Sequence, residues 1–342
     1  METILFLAHT EADGSLPKAA LESLGAAKAL AASLAGSTFV AGLVGADVQA
    51  AANQIAACGA TRFLSVAGAD FAQARYASDV VAVEALGKAA SATIIVGPAT
   101  SRWNRVMAGA AQRLGGRIDT HATGLSAADG KLSVTRWYYR QRMEGVLTRT
   151  QRPWIVLLES GCSAAFAGAA GSVALEPIAT ALPALRTTVT GVQAPAADAQ
   201  TIRPDAKLLF VAGAGWTKKQ ADGQAHADEA EKLILGFLGK AKASLGSTKS
   251  LVDLSGEGQT VLTFMTHLNQ IGQTGSTPRH PKGLATCCHG EEPHTVGWRF
   301  INERRAINLN AACSWAQGKA DVLYVADSFA VMRKVNELLG AK

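Results

Sequence analysis

The chain has 342 residues, enough for two domains at about 150 residues each. Its 33 Lys and Arg stand against 27 Asp and Glu, a formal charge of +6. No basic stripe or run of five like charges appears, and that excludes a sequence-independent nucleic-acid binder. Hydrophobic residues make up 48% and charged residues 18%, below the roughly 25% usual for soluble domains, so the chain can bury a large core and is neither disordered nor fibrous.

The first apolar run, 4–8, follows Glu2 rather than a basic segment and reads as a strand, not a signal or transit peptide. Residues 38–44, 63–66 and 93–96 read as three more strands. Ala-rich segments with helical spacing lie between them at 18–34, 47–58 and 76–90. Strand and helix in alternation predict a parallel sheet with helices on both faces. A helix over 104–114 continues the pattern. The spacing then shortens. Segments 124–128, 132–139, 146–150 and 154–159 read as antiparallel strands appended to the same domain.

Residues 194–204 (APAADAQTIRP) have no period and read as an interdomain linker. The expected organisation is an N-terminal α/β domain over 1–193 and a second α/β unit over 205–342. In the second unit, 208–212, 250–253, 283–288, 306–309 and 322–325 read as strands, and 225–238 and 328–339 as helices.

Five cysteines, Cys58, Cys162, Cys287, Cys288 and Cys313, are too few and too odd in number for a secreted disulfide framework, so a reducing cytoplasm is the expected compartment. The low-charge stretch 161–175 is mostly Ala, Gly and Ser, and falls short of the roughly 18 to 20 strongly apolar residues of a membrane span.

Several motifs could carry chemistry. GAGWTK after the 208–212 strand begins like a dinucleotide fingerprint, but Lys218 replaces the third glycine, and a tight turn explains it as well. A Walker A loop and a G-x-S-x-G nucleophile elbow are both absent. In Gly272-Gln273-Thr274-Gly275 two glycines flank a hydrogen-bonding pair, which lets backbone N–H groups approach a ligand closely. By itself such a string is more often a turn than a site. GLATCCHGEEPH (283–294) packs two cysteines, two histidines and two glutamates into twelve residues. Cys287 and Cys288 are adjacent, which suits one tetrahedral metal poorly, and no metal site is expected. His280, His289 and His294 read equally as satisfied neutral rings or as donors to an anionic group. Arg136-Trp137-Tyr138-Tyr139-Arg140-Gln141-Arg142 could stack on bases, but alternation on an edge strand accounts for it.

The order of these features resembles the α subunit of electron transfer flavoprotein over essentially the whole chain. ILFLAHTEADGSLPKAALESLGAAKAL resembles that family's opening strand, acidic turn and first helix. IIVGPATSRWNRVMAGAAQRLGGRIDTHATGL and WYYRQRMEGVLTRTQRPWIVLLES resemble the end of its parallel sheet and its antiparallel strands. GSTKS, IGQTGS, AINLN and KADVLYVADSFAVMRKVNELL then follow in the order of its flavin-binding domain.

The resemblance implies a C-terminal Rossmann-like domain holding FAD. It also implies a separate β subunit as heterodimer partner, carrying AMP or a second flavin. Electrons would come from a flavin-linked dehydrogenase and leave to a membrane quinone oxidoreductase, so the chain would be a carrier with no substrate turnover of its own. Gln273 and Thr274 match the family's loop at the flavin and ribityl region, with Gly272 and Gly275 permitting close approach. Thr248 and Lys249 stand where the family has Ser-Arg, and Lys249 keeps the charge but loses the planar fork. Asn308 and Asn310 match residues near the adenosine half, and Asp321 falls in the Ala-Asp ending. His294 matches the flavin-facing histidine across a one-residue gap, with His289 beside it in the altered loop.

Two departures stand out. The family's Gly-Gly-Arg-Gly turn has lost its arginine at 213–217, and CCHGEEPH replaces its Gly-Ile-Ser-Gly-Ala segment, bringing Glu291 and Glu292 toward an anionic cofactor. They leave open an FAD of shifted potential, a different flavin geometry, or a structural subunit of a dehydrogenase complex that keeps the fold without FAD.

Overall fold

The computed structural model describes residues 2–139, 143–191, 206–253, 261–271, 280–286, 298 and 301–340. The chain divides into two compact units, Met1–Val192 and Gln193–Lys342. The expected linker at 194–204 lies outside the described residues.

The first unit is built on β1 (Thr3–His9), β2 (Thr38–Gly45), β3 (Arg62–Ala67), β4 (Ile94–Pro98), β5 (Arg117–Ala128), β6 (Lys131–Tyr138), β7 (Met143–Leu147), β8 (Trp154–Leu158) and the two-residue β9 (Glu176–Pro177). They form one sheet in the order β7-β6-β5-β8-β4-β1-β2-β3-β9. β1, β2, β3, β4 and β8 run parallel. β1 is buried throughout from Ile4 onward, as expected of a parallel strand covered on both faces. Period-2 alternation divides it. Ile4, Phe6 and Ala8 pack with Ala20, Leu24 and Ala27 of α1 (Lys18–Ser33). Leu5 and Leu7 pack on the other side with Val80, Val83 and Leu86 of α3 (Tyr76–Ala89) and Trp103 and Val106 of α4 (Ser101–Arg113). The short α2 (Gln49–Gln54) replaces the longer helix expected at 47–58, which ends instead in a 3₁₀ turn, Ala56–Cys58.

The strand at 154–158 corrects the antiparallel reading. β8 is not an appended strand but lies inside the sheet, parallel to β4 on one side and to the first half of β5 on the other. Short sequence spacing reports a nearby return of the chain, not the direction in which the strand is inserted. Only β6 and β7, together with the second half of β5, are antiparallel. β5 changes partner through a bulge around His121, whose φ is 56°. Arg136 in this hairpin is committed to protein contacts. It donates to Asp119 at 2.9 Å and lies 4.4 Å from the centre of the Tyr138 ring.

After β8 the chain runs extended across the unit. Phe166 N–H donates to Leu21 O, and Gly171 N–H to Asn53 O. A Cβ at Gly25 would meet Ala164 O at 2.3 Å, so only glycine lets this segment lie on α1.

The second unit has five parallel strands: β10 (Leu208–Ala212), β11 (Ser244–Ser247), β12 (Lys282–Thr286), β13 (Glu303–Asn308) and β14 (Val322–Val325). Their order is β11-β10-β12-β13-β14. The helices are α5 (Ala227–Ala241), α6 (Lys249–Asp253), α7 (Ser314–Lys319) and α8 (Ser328–Gly340). The segment 250–253 is therefore helix and not strand, and the strand precedes it at Ser244–Ser247. An apolar run of three or four residues does not separate the two states, and SLGS, fully buried, has none of the β-branched residues that mark a strand. No helix among the described residues is long and apolar enough to cross a membrane.

Candidate functional site

Each sheet has a point where the strand order reverses, the place where open α/β sheets bind ligands at their carboxyl edge. In the first unit it lies between β1 and β4. There His9 Nε2 and Thr100 Oγ1 share a 2.9 Å hydrogen bond, His9 Nδ1 and Thr10 O approach to 3.3 Å, and Thr100 Oγ1 also accepts from Trp103 N at the start of α4. Trp103 sets its edge against the His9 ring and donates from Nε1 to Leu7 O. Burial holds the His9 imidazole below its ordinary pKa, and Arg102 adds to the shift. The polar side chains at this point are thus occupied by one another.

The second unit differs. Its order, renumbered within the unit, is 2-1-3-4-5, with the reversal between β10 and β12. Gly213 N–H donates to Thr286 O at 2.9 Å, which closes the floor between these strands. β10 leads into one 3₁₀ turn, Ala214–Thr217, and α5 starts ten residues further on, so GAGWTK lacks the helix that a dinucleotide fingerprint needs. Trp216 fills the turn. It is fully buried, donates from Nε1 to Thr286 Oγ1 at 2.8 Å, and packs 4.6 Å from the Phe329 ring. An indole therefore fills the 214–217 turn.

Four polar atoms at this carboxyl edge are buried with no hydrogen-bond partner among the described residues: Ser247 Oγ, Thr248 Oγ1, Gln270 Oε1 and Asn308 Nδ2. Their residues are at most 3% exposed. Leaving a buried donor or acceptor unpaired costs about 1–3 kcal/mol, so a cluster of them marks a place built for a further group. Two sequence-predicted residues, Thr248 and Asn308, are among the four. Thr248 caps the end of β11, its N–H donating to Ala212 O at 2.9 Å. Asn308 ends β13, with its Oδ1 already accepting from Asn310 N–H. The two strands are three places apart in the sheet, roughly 14 Å at the usual spacing.

Of the other sequence-predicted residues, Lys249 opens α6 and is exposed. Asn310 follows β13, is exposed, and turns its Oδ1 to Ala312 N–H. Asp321 lies elsewhere. It precedes β14 at the amino edge of the sheet and pairs with Arg304, whose side chain and backbone N–H hold its carboxyl below the ordinary value. The structure does not bring Asp321 together with Thr248 and Asn308. Gly272, Gln273, Thr274, Gly275, His289 and His294 lie outside the described residues, as do Cys287, Cys288, Glu291 and Glu292. His280 is buried beside the start of β12.

Near the end of β13 a cavity of about 330 Å³ is lined by Gln220, Asp222, His226, Leu309, Phe329 and Arg333, among others. His226 and Asp222 close one side as a pair 2.7 Å apart.

Sequence reasoning missed Ser247, Gln270 and Trp216. Only the GSTKS string held a hint of the first, and nothing in the composition singled out the other two.

A family model described as the electron transfer flavoprotein domain matches residues 4–197. No curated protein matches the chain. The matched span takes in the β1–β9 sheet and covers more than half of the sequence, so the chain belongs to the electron transfer flavoprotein family.

Proposed function

We propose that the chain is the flavin-holding, α-type subunit of a heterodimeric electron transfer flavoprotein. It would keep FAD in the second unit and pass electrons from a flavin-linked dehydrogenase to a quinone-linked acceptor. The partner is a β-type subunit carrying AMP or a second flavin, and the compartment is the cytoplasm. The observation that carries the reading is the set of unpaired, buried polar atoms at the carboxyl edge of the second sheet. They occur at β11 and again at β13, a spacing that suits an extended two-part ligand better than a single small ion.

The residues present fit FAD. Thr248 supplies an unused hydroxyl and Lys249 a cation on one side, and Asn308 offers an unused amide N–H on the other. FAD itself, when bound, supplies the redox chemistry, and the protein supplies binding, orientation and charge. Its phosphates cannot be met by an arginine at 213–217, because Trp216 holds that turn. Gln273, Thr274, His289 and His294 complete the proposed set by resemblance.

The test is a visible spectrum of the purified complex with its partner, and mass spectrometry of what heat releases. About one FAD per heterodimer supports the carrier. A complex without flavin absorbance refutes it and leaves the structural subunit of a dehydrogenase complex as the alternative.

A further inference from the structure

Ser247 lies within GSTKS and Gln270 immediately before IGQTGS, yet the family resemblance assigns neither a role, and both are almost wholly enclosed. Ser247 is 0% exposed and Gln270 3%. The two are held face to face. Ser247 and Gln270 form a parallel bridge, and Ile271 N–H donates to Ser247 O at 3.2 Å. Gly246 makes this approach practicable, since a Cβ there would meet Ile271 Cγ2 at 2.6 Å. The backbone around both residues is therefore fixed, while Ser247 Oγ and Gln270 Oε1 remain without partners among the described residues.

The chemistry of the pair restricts what it can hold. An amide oxygen accepts only, and a serine hydroxyl donates or accepts. Phosphate oxygens at neutral pH are acceptors and are drawn to arginine, lysine or the N–H groups of a helix start. An amide oxygen offers them nothing. It wants an O–H or N–H donor. Resting on the flavin reading above, we infer that Ser247 and Gln270 form an uncharged seat, together with the Thr248 hydroxyl, that grips the neutral half of the cofactor, its polyol chain and ring edge, and not its phosphates.

The test uses the full chain freed of bound flavin, with FAD, riboflavin and ADP as probes. FAD and riboflavin are followed by quenching of their fluorescence, and ADP by competition against FAD. Ser247→Ala and Gln270→Met should each weaken FAD and riboflavin by a similar factor, about fivefold for one lost hydrogen bond, and leave ADP unchanged. Melting of the ligand-free chain supplies the second readout. Deleting a hydroxyl that has no partner among the described residues should leave the Ser247→Ala midpoint unchanged or raise it. A midpoint several degrees lower would make Ser247 part of the fold and overturn the inference. So would variants that bind FAD and riboflavin as the parent does, though the parent's own binding would then still uphold the flavin reading. Loss of ADP affinity equal to that of FAD would move the seat to the phosphates and also overturn it. A parent chain that binds no flavin at all refutes the flavin reading and this inference with it.

Discussion

Asp119→Ala should destabilise the first unit by about 3–4 kcal/mol. Asp119 sits on β5 at 1% exposure. Its Oδ1 accepts from Arg136 at 2.9 Å and Arg149 at 3.0 Å, and its Oδ2 from the Arg149 Nε and from Trp154 Nε1 at 2.9 Å. One carboxylate thus ties β6, the segment after β7, and β8 to β5. Removing it strands the Trp154 N–H, which is fully buried and costs about 1–3 kcal/mol alone. Breaking a buried pair costs about 3–5 kcal/mol, but Arg149 is 34% exposed and can turn to water, so its share is small. Arg136, 18% exposed, retains most of its penalty. Asp119→Asn keeps acceptors for Trp154 and one arginine, and should cost only about 1–2 kcal/mol. Burial works against the Asp119 carboxylate, yet the bonds from Arg149, Trp154 and Arg136 hold its pKa below the ordinary value. A depressed carboxylate contributes stability above its unfolded pKa of about 3.9, and that stability is lost as pH falls through the folded value. Urea titration followed by tryptophan fluorescence reads both effects. A loss below about 1 kcal/mol for Asp119→Ala at neutral pH, or an unchanged acid limb, would refute the account.

Thr248→Val removes a hydroxyl with no partner among the described residues and keeps the shape, so the ligand-free chain should be no less stable. FAD at 100 times the parental Kd stabilises by about 2.7 kcal/mol, and a fivefold weaker site by about 1.8 kcal/mol at the same concentration, a difference that a melting series with FAD resolves. Lys249→Ala should make the flavin harder to reduce. Loss of about 1 kcal/mol of charge stabilisation corresponds to roughly 20 mV on a two-electron couple, and spectroelectrochemical titration showing no downward shift would place the cation away from the ring. His9→Gln should flatten the stability profile below about pH 6.5. Its folded pKa is depressed by burial, so its contribution is present above the unfolded value of 6.5 and fades as pH falls, and calorimetry across that window checks it.

The fold was legible where burial imposed a continuous pattern. TILFLAH and TFVAGLVG admit little besides buried strands, and the Ala-rich stretches between them had helical spacing. What stayed hidden depended on distant partners. β8 sits between β4 and β5, a position set by long-range pairing, which local spacing does not encode. β11 reads SLGS because Ile271 presses on Gly246 and leaves no room for the residues that advertise strands. The candidate site shows the same division. Thr248 and Asn308 were visible as positions in a family order, whereas the lack of a partner for the Ser247 hydroxyl among the described residues is a property of three dimensions. Asp321 precedes β14 and so lies at the amino edge, where Arg304 claims it, whereas Thr248 and Asn308 lie at the carboxyl edge.

The contrast between the two switch points predicts where a cofactor stabilises the chain. In the first unit His9, Thr100 and Trp103 satisfy one another, so a ligand there would have to break existing bonds before it made new ones. In the second, four buried atoms lack partners among the described residues, and each carries a desolvation cost of about 1–3 kcal/mol that a bound group would offset. The ligand-free second unit should therefore open at lower free energy than the first, and FAD should raise its stability alone. Native-state hydrogen exchange with and without FAD separates the two, since β10 and β13 report one sheet and β1 and β4 the other. Protection that rises in β10 and β13 and stays constant in β1 and β4 fits the site as drawn. Equal gains in both units would mean that the cofactor acts through the partner or through the joined fold, and the unpaired atoms at the β11 and β13 ends would lose their claim to be the binding edge.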